Sequence, residues 1–448
     1  MTDFDTSLFL SRRRFLALSG GAGAAALLAA CGGTSSPVTA QAPAGGNGGS
    51  AYSGPNVSLA FWNGFTGGDG TYIKKIVDDF NKATPNVKVT MNVYQWADFF
   101  QKVPAAVASG NGPDVGAMHV DDIPTNAARN IIVPIDDVAQ ALKLSEADFS
   151  PIVWQGGVYK DKRYGIPLDS HSLGLYYNKA VLQKAGLDPE KPPQTGDDYL
   201  AALEQIKGKA GVQGHWMTPF PFTGTFQFES LLWQFGGELF DDGITKATFD
   251  SDAGVQALTW LRSLVTKGYS PANVGQDADY IALKNGRNAF NWNGIWQIND
   301  LAGISGLQWG AAPIPKVGTQ NAVWANSHQF VVMRQTRPDQ NKQAAARYFI
   351  NYVSQQSLEW AKSGKIPARK SVLESAQFKA LAPEAQFAKQ VDYVHFPPQA
   401  PGIADALALV DTAVNQAILG KKQPADALSA AAAQATKVVQ DNAKKYGG

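Results

Sequence analysis

Residues 57–94 read VSLAFWNGFTGGDGTYIKKIVDDFNKATPNVKVTMNVY, and this stretch decides the fold. Residues 57–62 form an apolar, β-prone run that a glycine-rich turn follows. Apolar residues then recur at helical spacing, at Ile73, Ile76, Val77 and Phe80. Asp69 stands where an N-cap is expected, and residues 87–94 alternate like a strand. The stretch therefore predicts a strand–helix–strand unit, the building block of an α/β domain with a mostly parallel sheet.

The chain after this unit continues the same alternation. Residues 99–109 have a helical pattern that Pro104 interrupts, and residues 113–120 form a third strand-like run. Ligands of parallel sheets bind beyond the carboxyl ends of the strands. The residues that follow the three strands are therefore the first candidates for a binding site, namely Asn63 to Thr66, Gln95 with Trp96, and Asp121 with Asp122.

The later part of the chain is too long for one core. A strand-like run at residues 173–177 leads into a helix that stops at Gly186, and α/β and helical patterns repeat through residues 196–320. About 390 residues of this kind exceed an ordinary single core. We therefore expect two lobes.

Residues 11–31 read SRRRFLALSGGAGAAALLAAC and predict a targeting signal. The apolar run is shorter than the roughly 20 residues of a membrane span, and its glycines disfavour an N-terminal core helix. Basic residues before an apolar run are typical of an export signal. Arg12 and Arg13 resemble the twin-arginine signature, although an arginine pair also occurs in general secretory signals. Residues 28–31 resemble a lipobox, so Cys31 is expected to carry lipid.

Composition agrees with an exported chain on a tether. Cys31 is the only cysteine, so no intrachain disulfide can form. Residues 31–55 are rich in Gly, Ser, Pro and Ala, which is typical of a flexible linker. Removing residues 1–30 takes three arginines and two aspartates from 39 basic and 38 acidic residues, so the remainder is neutral. A neutral chain gives no sign of a nucleic-acid partner. We expect a monomer that reaches the membrane only through Cys31, on the outer face of the cytoplasmic membrane.

Several segments together resemble the extracellular solute-binding protein family 1, the carbohydrate-binding components of ABC importers. They occur in family order, and residues 341–372 also have the look of the family. The matching pieces are FWNGFTGGDGTYIKKIVDDFNKATPNVKV (61–89), SGNGPDVGAMHVDDIP (109–124), YGIPLDSHSLGLYYNKAVLQKAGL (164–187), LLWQFGGELFDDG (231–243), FNWNGIWQI (290–298) and WGAAPIPKVG (309–318).

The resemblance implies a periplasmic-binding-protein-like α/β fold whose two lobes close on a ligand. We place the crossings between the lobes near residues 167–171, 323–328 and 366–369. Lobe 1 would then comprise residues 56–168 plus 328–366, and lobe 2 residues 169–327 plus 367–448. The implied function is a receptor that captures a mono- or oligosaccharide and delivers it to the membrane permease, with no cofactor and no metal.

The residue types independently favour a sugar. A pyranose offers an apolar C–H face on which aromatic rings stack, and a rim of hydroxyls that carboxylates, amides and imidazoles hold. The predicted ligand-binding residues are Trp62, Asn63, Phe65, Thr66, Gln95, Trp96, His119, Asp121, Asp169, His171, Phe226, Trp292, Asn293, Trp296, Trp324, His328 and Arg369.

Some of these assignments rest on the resemblance, and several have structural alternatives. The family suggests a hydroxyl-binding role for Asp121, a ligand aromatic at Phe226, and a turn after residues 290–293 that aims Trp292, Asn293 and Trp296 at the cleft. A ligand-binding carboxylate of the family would fall near His171, so Asp169 is expected to supply it. Structural roles stay open for several residues. Trp62 could pack under the sheet, Trp96 could lie on the surface rim, and His119 could be a hydrogen-bonded structural histidine. The remaining alternatives are a helix cap at Asp121–Asp122, core packing for Phe222, Phe226 and Trp233, and a surface ion pair for Arg369.

Three other functions compete with sugar binding. A glycoside hydrolase also uses tryptophans and paired carboxylates, but the family has no such catalytic pair. A polyol phosphate or another polar solute would want clustered Arg and Lys, whereas the candidate loops carry mainly Trp, Asn, Asp and His. A polyamine would suit an aromatic box with carboxylates. The five histidines are scattered along the sequence without HExxH spacing, so no zinc ligand set is predicted.

Overall fold

The computed structural model describes residues 51–447. The predicted export signal at residues 1–30, Cys31 and the linker up to residue 50 lie outside the described residues. Two six-stranded sheets and a two-stranded ribbon form the framework, and helices cover the sheets. Among the described residues, no helix is both long enough and apolar enough to cross a bilayer.

The strands, in chain order, are β1 (Val57–Asn63), β2 (Val87–Val93), β3 (Val115–His119), β4 (Ile132–Val133), β5 (Val158–Tyr159), β6 (Lys162–Arg163), β7 (Ile166–Pro167), β8 (Asp169–Asn178), β9 (Phe290–Gly294), β10 (Trp309–Ala312), β11 (Val323–Asn326), β12 (His328–Met333), β13 (Ile366–Pro367) and β14 (Val394–His395).

The helices are α1 (Gly70–Ala83), α2 (Trp96–Ala108), α3 (Ile123–Ala128), α4 (Asp136–Ala141), α5 (Pro151–Gln155), α6 (Lys179–Lys184), α7 (Gly196–Gln205), α8 (Thr223–Gln234), α9 (Asp252–Thr266), α10 (Ala278–Lys284), α11 (Ile298–Ala302), α12 (Gln340–Gln355), α13 (Ser357–Ala361), α14 (Lys370–Leu373), α15 (Ala376–Lys379), α16 (Ala382–Phe387), α17 (Ile403–Ile418) and α18 (Pro424–Tyr446). Short 3₁₀ turns lie at Val120–Asp122, Glu146–Asp148, Ile295–Gln297 and Ala388–Tyr393, and a π turn at Ile206–Ala210.

The first sheet contains the predicted strand–helix–strand unit. Its order is β2-β1-β3-β12-β4, with β7 on the side of β12. β1 is parallel to both β2 and β3, whereas β12 runs antiparallel to β3. α1 buries the four apolar residues that the helical spacing singled out, Ile73, Ile76, Val77 and Phe80. This half of the α/β prediction is therefore confirmed.

Asp69 is the N-cap residue of α1, as predicted, but its side chain makes no capping hydrogen bond. Its carboxylate instead accepts a hydrogen bond from Lys365 Nζ at 2.8 Å, and both residues are buried. A buried ammonium needs an acceptor more than a helix N-terminus needs a cap, because an unpaired buried charge costs several kcal/mol.

The second sheet is built around one long strand. β8 is buried over all ten of its residues and pairs antiparallel with β9, β10, β11 and β13. β14 extends the sheet next to β11. Antiparallel pairing differs from the mostly parallel sheet predicted for the first unit. It places two sheets of different topology in one chain.

The chain passes between the two sheets at adjacent places. β7 of the first sheet is followed after one residue by β8 of the second, and β11 of the second is followed after one residue by β12 of the first. β13 pairs with the start of β8, so a third segment joins the same place. We call these three places the crossing segments. The ranges of the two lobes stay our prediction.

Candidate functional site

Asp169, the first residue of β8, lies at the centre of the crossing segments. Its carboxylate is fully buried and accepts hydrogen bonds from His171 Nδ1 at 3.1 Å, His328 Nδ1 at 2.8 Å and Trp360 Nε1 at 2.7 Å. The backbone N–H of His328 donates a fourth bond at 3.1 Å. Burial alone raises the pKa of Asp169, but His328 and His171 outweigh it and hold the pKa well below its usual range. The carboxylate therefore stays ionised and fixes both imidazoles.

Strand register brings three histidines together beside Asp169. His328 pairs with His119 across β12 and β3, and His171 pairs with Asn326 across β8 and β11. The ring centroids of His171 and His328 lie 4.2 Å apart, and His119 lies 5.1 Å from His328 and 5.6 Å from His171. Burial lowers the pKa of His171 to about 4 and that of His119 well below its ordinary value. Both rings are therefore neutral near pH 7.

Aromatic rings from the first sheet surround this group. Trp96 lies nearly parallel to His328 at 5.4 Å and approaches His119 at 4.4 Å. Phe65 meets Trp96 and His328 edge-on at 5.6 and 4.8 Å. Phe65 also contacts Trp360 at 4.9 Å. The loop after β1 and the start of α2 thus supply one wall of the cluster.

The second sheet and α8 supply the other wall. Phe226 on α8 and Trp324 on β11 stack face to face, with centroids 3.5 Å apart and planes 7° apart. Trp296 stands edge-on to Trp324 at 6.5 Å and to His171 at 6.1 Å. We call Phe65, Trp96, His119, His171, Phe226, Trp296, Trp324 and His328 the aromatic–histidine cluster.

Phe222 extends this wall toward solvent. It is 52% exposed, its φ is +67°, and its ring meets Phe226 edge-on at 5.9 Å. A large residue with a positive φ is strained, and strain of this kind concentrates at functional sites. Phe222 is thus an exposed, strained aromatic that adjoins the Phe226–Trp324 stack.

Polar side chains lie next to the rings. Asp121, in the turn after β3, accepts a hydrogen bond from Asn326 Nδ2 at 2.8 Å. Asp122 has a carboxylate oxygen 3.9 Å from His119 Nδ1. Burial raises the pKa of Asp121, and burial with the nearby charge of Asp121 raises the pKa of Asp122 well above its usual value. Asn63 is buried, and its Nδ2 has no hydrogen-bond partner in the described part of the chain.

The cluster is packed rather than open. Phe65, His171, His328 and Trp324 are each only 2–3% exposed. A cavity of about 470 Å³ lies elsewhere, beside Arg334, and a second of about 270 Å³ lies beside Trp233. A ligand that enters between the two walls must therefore displace side chains of the cluster.

Some predicted residues lie outside the cluster. Trp62 packs against Tyr94 at 5.0 Å, which agrees with the alternative of packing at the sheet. Trp233 stacks on His395 at 4.8 Å. Thr66 and Gln95 are exposed, and Thr66 Oγ1 lies 3.5 Å from the side-chain oxygen of Gln95. They lie next in sequence to the ring residues Phe65 and Trp96.

The structure corrects the orientation expected for Trp292, while ligand contact by Asn293 stays a prediction. Trp292 is fully buried in the second core against Trp260, Tyr199 and His215, so it does not project toward the cleft. Asn293 is buried, and its Oδ1 accepts a hydrogen bond from the next backbone N–H. Arg369 donates two hydrogen bonds to Ser354, one to the carbonyl and one to Oγ, and its contact with a ligand stays a prediction.

Three residues of the site escaped sequence reasoning. Trp360 gives Asp169 its shortest bond from α13, and Lys365 lies 6.0 Å from the centre of the Trp296 ring while it bonds Asp69. Glu229 is buried on α8, and its Oε2 has no hydrogen-bond partner within residues 51–447. A signal existed only for Glu229, because it is the single charged residue within FTGTFQFESLLWQFGG.

We predict that Glu229→Gln stabilises the protein at high pH and not at low pH. Burial, with the charges of Asp411 and Asp121, raises the pKa of Glu229 well above its usual value. The folded state therefore holds a proton that the unfolded state loses above about pH 4.3, so wild-type stability falls as the pH rises. Glutamine removes this penalty. Urea unfolding should show a gain of about 1–2 kcal/mol near pH 8 and none near pH 4.

A matched control is Glu374→Gln, because Glu374 is exposed. It should change the free energy of unfolding by less than about 0.5 kcal/mol at both pH values. If the difference in unfolding free energy between Glu229→Gln and wild type were the same at both pH values, the Glu229 carboxyl would ionise freely in the folded protein.

Comparison with known proteins gives a consistent set of likenesses. Residues 75–388 match the family model described as bacterial extracellular solute-binding protein. The sn-glycerol-3-phosphate-binding periplasmic protein UgpB of Escherichia coli O6:K15:H31 is 24% identical over 404 residues, which are 84% of this chain and 90% of that protein.

Two solved structures share the fold. The GacH receptor of Streptomyces glaucescens, solved unliganded and with acarbose, has a TM-score of 0.77 at 22% identity and covers 86% of this chain and 99% of its own. An ABC transporter solute-binding protein of Thermotoga lettingae, bound with α-D-tagatose, has a TM-score of 0.74 at 24% identity, over 85% of this chain and 99% of its own. At these identities the structural likeness establishes the fold, which is the two-lobed periplasmic-binding-protein-like α/β fold expected from the sequence.

Proposed function

The chain belongs to the bacterial extracellular solute-binding protein family, and from this premise we propose that it is the receptor of an ABC importer for a mono- or oligosaccharide. The protein would capture the sugar outside the cytoplasmic membrane, close on it, and deliver it to the permease subunits. Closure requires that the ligand binds the closed form more tightly than the open form.

The aromatic–histidine cluster is the observation that carries this proposal. The flat faces of Phe226, Trp324 and Trp296 suit the apolar C–H faces of pyranose rings. Neutral imidazoles offer both a donor and an acceptor, and carboxylates accept from hydroxyls. Asp121 lies in the turn after β3 and Glu229 on α8, close enough for the charge of Asp121 to raise the pKa of Glu229. Rings with acceptors at their edges are the chemistry that a neutral sugar needs.

A polyol phosphate is the second candidate, and the likeness to UgpB favours it. The charges around the cluster argue against it. Lys365 is already compensated by Asp69 at 2.8 Å, and the other groups near the cluster, Asp121, Asp122 and Glu229, are carboxyls that supply no positive charge to bind a phosphate. Phosphate sites instead collect arginines and lysines that are free to bond the anion.

A thermal-shift screen separates the two candidates. A ligand that binds only the folded state raises the melting temperature in proportion to the logarithm of its concentration. We expect at least one mono- or oligosaccharide to raise it and sn-glycerol 3-phosphate to leave it unchanged. A shift with sn-glycerol 3-phosphate and with no sugar would reverse the assignment. Release of shorter sugars from a bound oligosaccharide would indicate a hydrolase, whereas membership of a family of binding proteins supports a receptor.

We also propose that residues 1–30 direct export, by a twin-arginine signal, and that Cys31 is lipidated. The mature protein would be a monomer held to the outer face of the cytoplasmic membrane. Residues 31–55 would form the flexible linker between the anchor and the folded domain. A lipid anchor at Cys31 with a polar linker would place the folded domain in the aqueous space where the solute is captured.

Cys31→Ser tests the anchor. The variant should move from the membrane fraction to the soluble exported fraction, because serine cannot carry the thioether-linked lipid. Replacing Arg12 and Arg13 with lysines, in the wild type or in Cys31→Ser, should keep the protein in the cytoplasm if the route is twin-arginine. A Cys31→Ser protein that stays in the membrane fraction would contradict lipidation at this residue.

A further inference from the structure

Three of the five histidines of the chain meet at the crossing segments, which is unexpected from their sequence spacing. His119 is the last residue of β3, and His328, which pairs with it, is the first residue of β12. His171 follows from β8, in the other sheet. One nitrogen of each imidazole lies within 4.8 Å of a nitrogen of the other two. Two sheets therefore contribute to one group of potential metal ligands.

Asp169 orients two of these rings. It accepts hydrogen bonds from Nδ1 of both His171 and His328, at 3.1 and 2.8 Å. An imidazole that donates from Nδ1 has its lone pair on Nε2. Metal-binding histidines in proteins are held in this way, with the second nitrogen donating to a carboxylate. Neither Nε2 makes a hydrogen bond to another residue of the described range 51–447.

The charges around the three rings favour a cation. Asp169 is bonded to two of the rings, and a carboxylate oxygen of Asp122 lies 3.9 Å from His119 Nδ1. Asp121 adjoins Asp122 in the same turn. The positive charge of Lys365 is compensated by Asp69. Three carboxyl groups, of which Asp169 is held ionised, thus lie near the rings, against the one ammonium group of Lys365.

We propose that His119, His171 and His328 form a binding site for a divalent transition-metal ion, with zinc as the best-suited ion. This inference goes beyond the sugar-binding function and does not depend on it. Three imidazoles suit zinc, copper, nickel or iron rather than magnesium or calcium, which prefer oxygen ligands. Three protein ligands leave a fourth position of a tetrahedral zinc ion open to water or to a hydroxyl of a bound solute.

Ion capture requires the rings to move together. Zinc–nitrogen distances of about 2.0–2.1 Å place tetrahedral ligand nitrogens roughly 3.3 Å apart, which is less than the 4.8 Å limit within which they lie. The planes of His171 and His328 are 26° apart and stacked, so one ring must turn to converge on a shared ion. Because His171 belongs to one sheet and the other two to the other sheet, the ion would fasten the crossing segments together.

The test uses the full chain with Cys31→Ser, so that the only thiol cannot bind the ion. After removal of metal with EDTA, calorimetry should show one Zn²⁺ per chain, and one Co²⁺ per chain should give the strong visible absorption of a tetrahedral site. His119→Ala and His171→Ala should each weaken Zn²⁺ binding at least tenfold, a loss typical even of disturbed outer partners. Because the two residues lie in different sheets, a folding failure of one variant, seen by circular dichroism, leaves the other as the test.

His395→Ala is the matched control. His395 stacks on Trp233 at 4.8 Å, away from the three histidines, and should leave Zn²⁺ affinity unchanged. Absence of stoichiometric Zn²⁺ binding in the wild type would overturn the proposal. Equal losses in His395→Ala and in both cluster variants would overturn it as well. Sugar binding measured in EDTA reports separately on the proposed function.

Discussion

Asp169→Ala should lower the free energy of unfolding by about 3–5 kcal/mol, the cost of removing one partner from a buried charged network. The carboxylate accepts four N–H groups and is fully buried. Alanine would leave Trp360 Nε1 and two imidazole N–H groups without acceptors in a site from which water is excluded. Each such group costs roughly 1–3 kcal/mol. Urea unfolding at neutral pH measures the change.

Asp98→Ala serves as the control for this variant. Asp98 is 57% exposed and lies 3.7 Å from Lys102, which is 52% exposed. An exposed pair of this kind contributes at most about 1 kcal/mol, and often less than half of that. If Asp169→Ala destabilised the protein no more than Asp98→Ala, the hydrogen bonds to Asp169 would not organise the crossing segments. The prediction also requires that the m-value is unchanged, since a changed m-value would indicate a different unfolded state.

Trp296→Ala should weaken sugar binding about 100-fold, because truncating a central aromatic of a binding surface costs about 2–4 kcal/mol. Trp296 is partly exposed, stands edge-on to Trp324, and lies 6.0 Å beneath the Lys365 ammonium. Its ring is therefore accessible in part, as the ring of Trp96 also is, whereas Trp324 is only 3% exposed. Calorimetric titration with the sugar found in the thermal-shift screen measures the loss.

Trp309→Ala is the control for the loss of a tryptophan as such. Trp309 is also partly exposed and packs on Tyr176 at 5.9 Å, outside the aromatic–histidine cluster. It should keep wild-type affinity. Unchanged affinity in Trp296→Ala, with both variants folded, would make Trp296 a packing residue and would remove one of the three rings on which the sugar proposal rests.

The first α/β unit was predictable because its determinants are local. The spacing of Ile73, Ile76, Val77 and Phe80 fixes one buried helix face, and the flanking strands pair in parallel as the pattern requires. The position of Phe65 and Trp96 at the site also follows from local order, since both come directly after neighbouring strands.

The contacts between distant segments were not predictable in the same way. Asp69 lies next to a helix start, and only the fold shows that Lys365, nearly 300 residues later, takes its carboxylate. Trp360 and the grouping of the three histidines depend likewise on how the crossing segments meet. No local pattern contains that information.

The error at residues 290–293 has a different cause. Trp292 and Asn293 are neighbours in one strand, and successive side chains of a strand point to opposite faces. They could not both face the cleft. The alternation already contained this contradiction, but the resemblance of FNWNGIWQI to a family motif assigned both residues to the cleft. Trp292 in fact fills the second core.

The central claim is that the cleft between the two sheets binds a neutral sugar. Calorimetric titration of the purified protein with a panel of mono- and oligosaccharides and with sn-glycerol 3-phosphate tests it most directly. We predict one site per chain, at least one sugar with a Kd well below about 1 mM, which corresponds to about −4 kcal/mol, and no measurable heat with sn-glycerol 3-phosphate. Binding of sn-glycerol 3-phosphate or another charged solute, with every sugar weaker than about 1 mM, would contradict it.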